Sequence, residues 1–153
     1  MCSTPAVPDA PLTTHTIEFP YTRTLGPVVG PFLTGLRDGH LLGVRNRDGR
    51  VLVPPLEWDP ATGEPIDADF VEVGPAGTVE TWAWVGEPTR KHPLDHPFAF
   101  ALIRLDGADT GLLHAVDAGS PDRMHTGMRV TARWKGERIG HITDLTFVPE
   151  EAR

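Results

Sequence analysis

The residues best equipped for chemistry sit between positions 89 and 97. His92 and His96 lie four apart with Asp95 between them, a spacing that on a helix would bring two imidazoles to one face as metal ligands. Pro93 and Pro97 forbid that helix, because each lacks an amide donor and its ring collides with the preceding turn. The segment therefore reads as a structured loop that binds no metal. Thr89, Arg90, Lys91 and His92 form a cationic run. Arginine and lysine suit phosphate oxygens, so Arg90, Lys91 and His92 are candidates for a phosphate contact, the other reading being a solvated loop tip. His114, Asp117, Ser120 and His125 fall close together, but nearness in sequence makes no triad. The chain has no Gly-x-Ser-x-Gly elbow and no phosphate-binding glycine loop. Cys2 is its single cysteine, too few for a disulfide or a cysteine metal site. With no nucleophile paired to a base, the chain is expected not to be an enzyme.

The elements that must carry these residues are short and mostly β. The stretch 78–85 is rich in Thr, Val and Trp, which suit a pleated, half-buried surface. An apolar run over 98–105 predicts a second strand, so the cationic segment becomes the loop 86–97 between two strands. Further strands are expected at 112–116, at 128–134, where apolar and polar residues alternate, and at 139–148. Five strands with glycine-rich corners predict a small closed Greek-key barrel of the OB type, preceded by a short helix and a ribbon hairpin. The helix is expected to begin at Pro31, with Phe32, Leu33 and Leu36 as its apolar face and Gly39 just past its end. The hairpin spans 40–54 and turns at Asp48-Gly49, and a short strand over 70–73 leads into the barrel. The expected organisation is a flexible tail over 1–14 with a short edge strand near 16–21, helix and ribbon over 15–73, barrel over 74–149, and a tail over 150–153. Trp82 and Trp84 share one strand parity and so one sheet face. Core filling and contact with a partner are both open to them, since Trp is enriched in interface hot spots.

Charge narrows the partners. Of 153 residues, 14 are Lys or Arg and 21 Asp or Glu, a net −7, which argues against a nucleic acid, since that needs clustered cations. Glu57, Asp59, Glu64, Asp67, Asp69 and Glu72 follow one another with no Lys or Arg between them. That run is either a solvated face or a docking face for a basic partner, with Glu57 and Asp59 as its candidates. No apolar run reaches the ~18 residues of a membrane span and no leader pattern opens the chain. Together with the lone cysteine, this fits a cytoplasmic protein.

Four pieces occur in a telling order: Phe32-Leu33-Thr34-Gly35-Leu36-Arg37-Asp38-Gly39; Asp48-Gly49-Arg50-Val51-Leu52-Val53-Pro54-Pro55; Gly74-Pro75-Ala76-Gly77-Thr78-Val79; and Gly127-Met128-Arg129-Val130. In that order and spacing, residues 31–148 resemble the acyl-CoA-associated OB-fold family with an N-terminal rubredoxin-like ribbon, catalogued as domain of unknown function thirty-five. Members of that family usually carry two Cys-x-x-Cys knuckles around a structural zinc. Here those positions fall on Arg45, Asp48, Asp59 and Thr62, so the chain resembles the cysteine-less variant and its ribbon is expected to hold no metal. In place of zinc, an Arg45–Asp59 ion pair and packing by Val44, Val53 and Trp58 are expected to hold the hairpin. The resemblance implies a non-catalytic accessory subunit of a thiolase-like enzyme, such as a lipid-transfer-protein-like thiolase or an aldolase. Such an enzyme acts on acyl-CoA thioesters, for instance in steroid or lipid degradation. It further implies a hetero-oligomer with no tightly bound cofactor and with a CoA thioester shared with the partner. Arg90, Lys91 and His92 would then meet CoA phosphates, and Trp82, Trp84, Glu57 and Asp59 the partner. The alternatives are a free-standing acyl-CoA thioesterase or hydrolase and an OB-fold nucleic-acid binder.

Overall fold

A computed structural model describes His15, Ile17, Phe19 and residues 24–150. The expected tail over 1–14 lies outside these residues, as do 151–153 and most of the expected edge strand. Helix α1 spans Gly26–Asp38, beginning five residues before Pro31. Pro27 occupies its first turn, where the missing donor is harmless, and Pro31 lies inside it at the loss of one helical bond. The helix tolerates that loss because Val28, Phe32, Gly35 and Leu36 still make one buried stripe. Gly39 closes it in the left-handed region at φ 88°, its N–H donating to Leu36 O, while the His40 N–H donates to Gly35 O.

The ribbon is a three-stranded antiparallel sheet in the order β2-β1-β3, with β1 at Leu42–Arg45, β2 at Val51–Leu52 and β3 at Phe70–Glu72. Val44 pairs with Leu52 on one side and Phe70 on the other. The hairpin turns where expected, with Gly49 at φ 81°. Gly43 is obligatory, since a Cβ there would lie 2.6 Å from Val51 Cγ1. The strand over 70–73 is therefore not simply a lead-in to the barrel; it completes this sheet. Val44, Leu52 and Ile66 form a small core of its own.

The barrel closes with five strands in the order β4-β5-β6-β8-β7. They are β4 Ala76–Val85, β5 Phe98–Leu105, β6 Gly111–Val116, β7 Arg129–Trp134 and β8 Leu145–Pro149. Only β6–β8 is parallel, which is the Greek-key closure of an OB fold. On β4, Glu80 is an extra residue opposite the Ile103–Leu102 step. That bulge resets the alternation, so Val79 and then Trp82 and Trp84 turn to the barrel core. The expected last strand over 139–148 is half as long. Asp144 accepts the N–H groups of Ile139, Gly140 and His141 at 2.9, 2.7 and 2.9 Å and bends 139–144 into a capped 3-10 turn before β8 begins.

Ribbon and barrel share one core: Phe32, Leu36, Leu41, Val51, Val53 and Val73 pack with Val79, Ile103, Leu105, Val130 and Phe147. The turn between β5 and β6 stitches them, since Asp109 Oδ2 accepts the Val51 N–H at 2.7 Å and Thr110 Oγ1 the Val53 N–H at 2.7 Å. Among the described residues no helix is long and apolar enough to cross a membrane.

Candidate functional site

The loop 86–97 does not bring its two histidines together. Nδ1 of His92 accepts the Thr89 N–H at 2.8 Å, and its ring packs edge-on against Phe98 and Phe100 with centroids 5.8 and 6.1 Å away. His96 turns to Asp95 at 3.0 Å and Asp117 at 3.4 Å. The Asp95 hydrogen bond, helped by Asp117, holds the His96 imidazole above its ordinary range. Among the described residues, no three His, Cys, Asp or Glu side chains are placed to hold a metal. Arg90 and Lys91 are exposed at the loop tip, with no carboxylate in ion-pair range among the described residues.

Behind the loop runs an open groove of about 360 Å³ lined by Lys91, His92, Phe100, Leu113, His114 and Ile142, among others. It lies over the second and third barrel strands, between the first barrel loop and the last, which is the face OB folds use for ligands. Leu113 projects into solvent with 65% of its surface exposed. His114 forms part of the wall and is chemically spent. Its Nε2 donates to Ile142 O at 2.9 Å and its Nδ1 accepts the Ala115 N–H at 2.8 Å, while burial pushes its pKa down. Asp117 is bound to Arg133 at 2.7 Å and to His96. His114, Asp117, Ser120 and His125 thus form no triad. The arrangement offers a partly apolar groove with Lys91 on its wall; the hydroxyl–imidazole pair there, Thr143 Oγ1 and His141 Nδ1 at 2.9 Å, belongs to the cap of the 142–144 turn, where the same nitrogen also accepts the Thr143 N–H at 3.3 Å.

In the ribbon, Asn46 Nδ2 donates to Asp59 Oδ2 at 2.8 Å in a buried contact. The other oxygen of Asp59 accepts the N–H groups of Ala61 at 2.8 Å and Thr62 at 3.2 Å. The Ala61 amide first, and Asn46 next, hold the Asp59 carboxyl below the usual range. The expected Arg45–Asp59 pair does not form. Arg45 reaches Asp69 at 3.5 Å and the Gly49 carbonyl at 3.1 Å, because its alternation on β1 sends it to the solvent face while Asn46 points inward. Asp48, Asp59 and Thr62 do gather around one cavity of about 190 Å³, but an aspartate already holding three donors, with no sulfur or imidazole beside it, does not fit zinc. Val44 and Val53 are buried as expected; Trp58 is 59% exposed and adds little packing. Asp59, with 7% of its surface exposed, is a framework residue and not a contact for a partner, whereas Glu57 is exposed. Trp82 and Trp84 are half-buried and pack on the core. Sequence reading missed Asn46, whose signal was an Asn just ahead of an Asp-Gly turn.

Residues 70–135 match the family model described as the C-terminal OB-fold domain of ChsH2. The barrel is similar to a ChsH2-type OB-fold domain. Two solved structures share the fold more widely. One is titled Ltp2-ChsH2(DUF35) aldolase; it is 21% identical, covering 84% of this chain and 98% of that chain, with a TM-score of 0.63. The other is a DUF35-family protein of unknown function from Sulfolobus solfataricus, 21% identical over 82% of this chain and 85% of that one, with a TM-score of 0.58. No curated protein matches the sequence. In this chain the helix and the three-stranded ribbon precede that barrel.

Proposed function

We propose that this chain is a non-catalytic accessory subunit of a thiolase-like enzyme acting on acyl-CoA thioesters, in steroid or other lipid breakdown. The observation that carries this reading is the ChsH2-type barrel together with a likeness spanning 98% of a chain from an Ltp2-ChsH2(DUF35) aldolase. The loop tip supports it: Lys91 lines a groove walled by Phe100, Leu113 and Ile142, and its neighbour Arg90 is exposed on the adjoining side of the same loop. In this reading the two cations meet CoA phosphates, and His92 acts indirectly by fixing the loop through Thr89. Glu57 and the exposed edges of Trp82 and Trp84 face the partner. In this reading the reacting residues belong to the partner: both nitrogens of His114 are engaged, and Nδ1 of His141 is held in the cap of its own turn by the Thr143 N–H.

Kinetics test the reading. Reconstituted with a thiolase-like protein, the wild-type chain supports acyl-CoA turnover that it does not show alone. Replacing Arg90 and Lys91 together with Ala raises KM for acyl-CoA several-fold with kcat little changed, the mark of lost ground-state binding. Thioester hydrolysis by the chain alone would establish the hydrolase alternative instead.

A further inference from the structure

Trp58 is the largest exposed apolar side chain of the ribbon, with 59% of its surface in water. Its backbone is nevertheless fixed on both sides. The Asp59 N–H donates to Glu64 O at 2.8 Å, the Ile66 N–H donates to Glu57 O at 3.0 Å, and Trp58 itself bridges Pro65. Each neighbour is anchored below: Asp59 on Asn46 and Ile66 in the small core with Val44 and Leu52. Leu56, two residues earlier and 38% exposed, extends the apolar surface. An indole held on a rigid pedestal and mostly facing water brings the chain little packing. A rigid aromatic with little conformational freedom left to lose is what an interface anchor requires.

The surroundings say what would cover it. Over residues 42–72, three arginines stand against seven carboxylates, leaving −4. Glu64, Asp69 and Glu72 are engaged by Arg47, Arg45 and His40, and Glu57 extends to the first turn of α1 beside Gly26. Asp67 has no cation within ion-pair range among the described residues. We infer that Trp58, with Leu56 beside it, is the anchor by which the ribbon docks into an apolar pocket rimmed by Lys and Arg on the partner protein. A second copy of this chain, carrying the same negative ribbon, would meet like charge at that surface. The identity of the partner rests on the accessory-subunit reading; the surface and its chemistry rest on the ribbon.

The experiment measures binding of the full-length chain to the thiolase-like protein by calorimetry at two salt concentrations, for wild type, Trp58→Ala and Asp67→Arg. Trp58→Ala keeps the wild-type unfolding midpoint and loses about ten-fold or more in affinity, the scale of a hot-spot residue. Asp67→Arg, a change at an exposed position, binds more weakly and with a shallower salt dependence. If wild type binds and both variants bind equally well, the inference falls while the accessory-subunit reading stands. If wild type does not bind, both fall. A wild-type dimer that Trp58→Ala dissolves would assign the surface to a second copy and also overturn the inference.

Discussion

Asn46 and Asp59 are joined by a buried 2.8 Å hydrogen bond at the place where the family resemblance would put a metal ion. Asn46 serves both arms of the hairpin: its Oδ1 accepts the Arg50 N–H at 2.9 Å, and its own N–H donates to Arg50 O at 2.9 Å. One side chain thus ties the turn to the segment that returns past it. Removing a buried donor leaves its partner unsatisfied, which costs more than the bond itself contributes. Asn46→Ala therefore lowers the unfolding midpoint clearly, whereas Arg45→Ala, which removes an exposed pair, changes stability by less than about 1 kcal/mol. Chemical denaturation of the two variants side by side checks this; equal effects would contradict it.

We propose that the same contact lets the ribbon fold without a metal. Treatment with a strong chelator leaves the melting curve unchanged, and elemental analysis finds no stoichiometric zinc. A midpoint that falls on chelation would show that ligands outside the expected four positions had been recruited.

Acid should loosen the fold in two stages. His114 is held below its ordinary value of 6.5, chiefly by burial. Its contribution is therefore complete above 6.5 and is lost as the pH falls through the folded value, when a proton on Nδ1 must displace the Ala115 N–H. Asp59 and Asp144 are held below their ordinary value of 3.8. Burial alone would raise the Asp144 carboxyl, but the amides of His141, Gly140 and Ile139 outweigh it. Their contribution is present above 3.8 and lost as the pH falls below that. His96, raised mainly by Asp95, has the opposite sign, its share being present below 6.5 and lost as the pH rises through its folded value; exposure keeps it small. Thermal melts across this range show both stages, and His114→Gln removes the first.

Asp144 gathers three backbone donors into one carboxylate. Asp144→Ala strands them and costs about 2 kcal/mol or more, the upper range for loss of a capping side chain. The damage extends to the lip of the groove, because Ile142 lies inside that turn and its carbonyl receives His114. Urea unfolding measures the loss, and the His114 ring resonances report the moved turn.

Much of this architecture could be read from the chain. Strand β5 spans Phe98–Leu105 because its apolar run is bounded by Pro97 and Asp106-Gly107, and Asp48-Gly49 marks its own turn. What escaped depends on contacts distant in sequence or on single insertions. The bulge at Glu80 cannot be seen in a period-two pattern, yet it sets where Trp82 and Trp84 point. Pro31 reads as a helix start because a second proline four residues earlier competes for that role and tertiary burial of Val28 decides between them. Trp58 reads as core because aromatic residues usually are; only the ladder between 57–59 and 64–66 shows it facing outward. At the candidate site the cationic tip was legible from composition, while the groove beside it needed β6 and the 139–144 turn to be brought together.

We propose that this chain works by joining a thiolase-like subunit. Size-exclusion chromatography with light scattering on a mixture of the two purified proteins tests it most directly. The expected result is one hetero-oligomeric peak containing both chains, stable at physiological salt. Two separate peaks, with this chain eluting as it does alone, would contradict it.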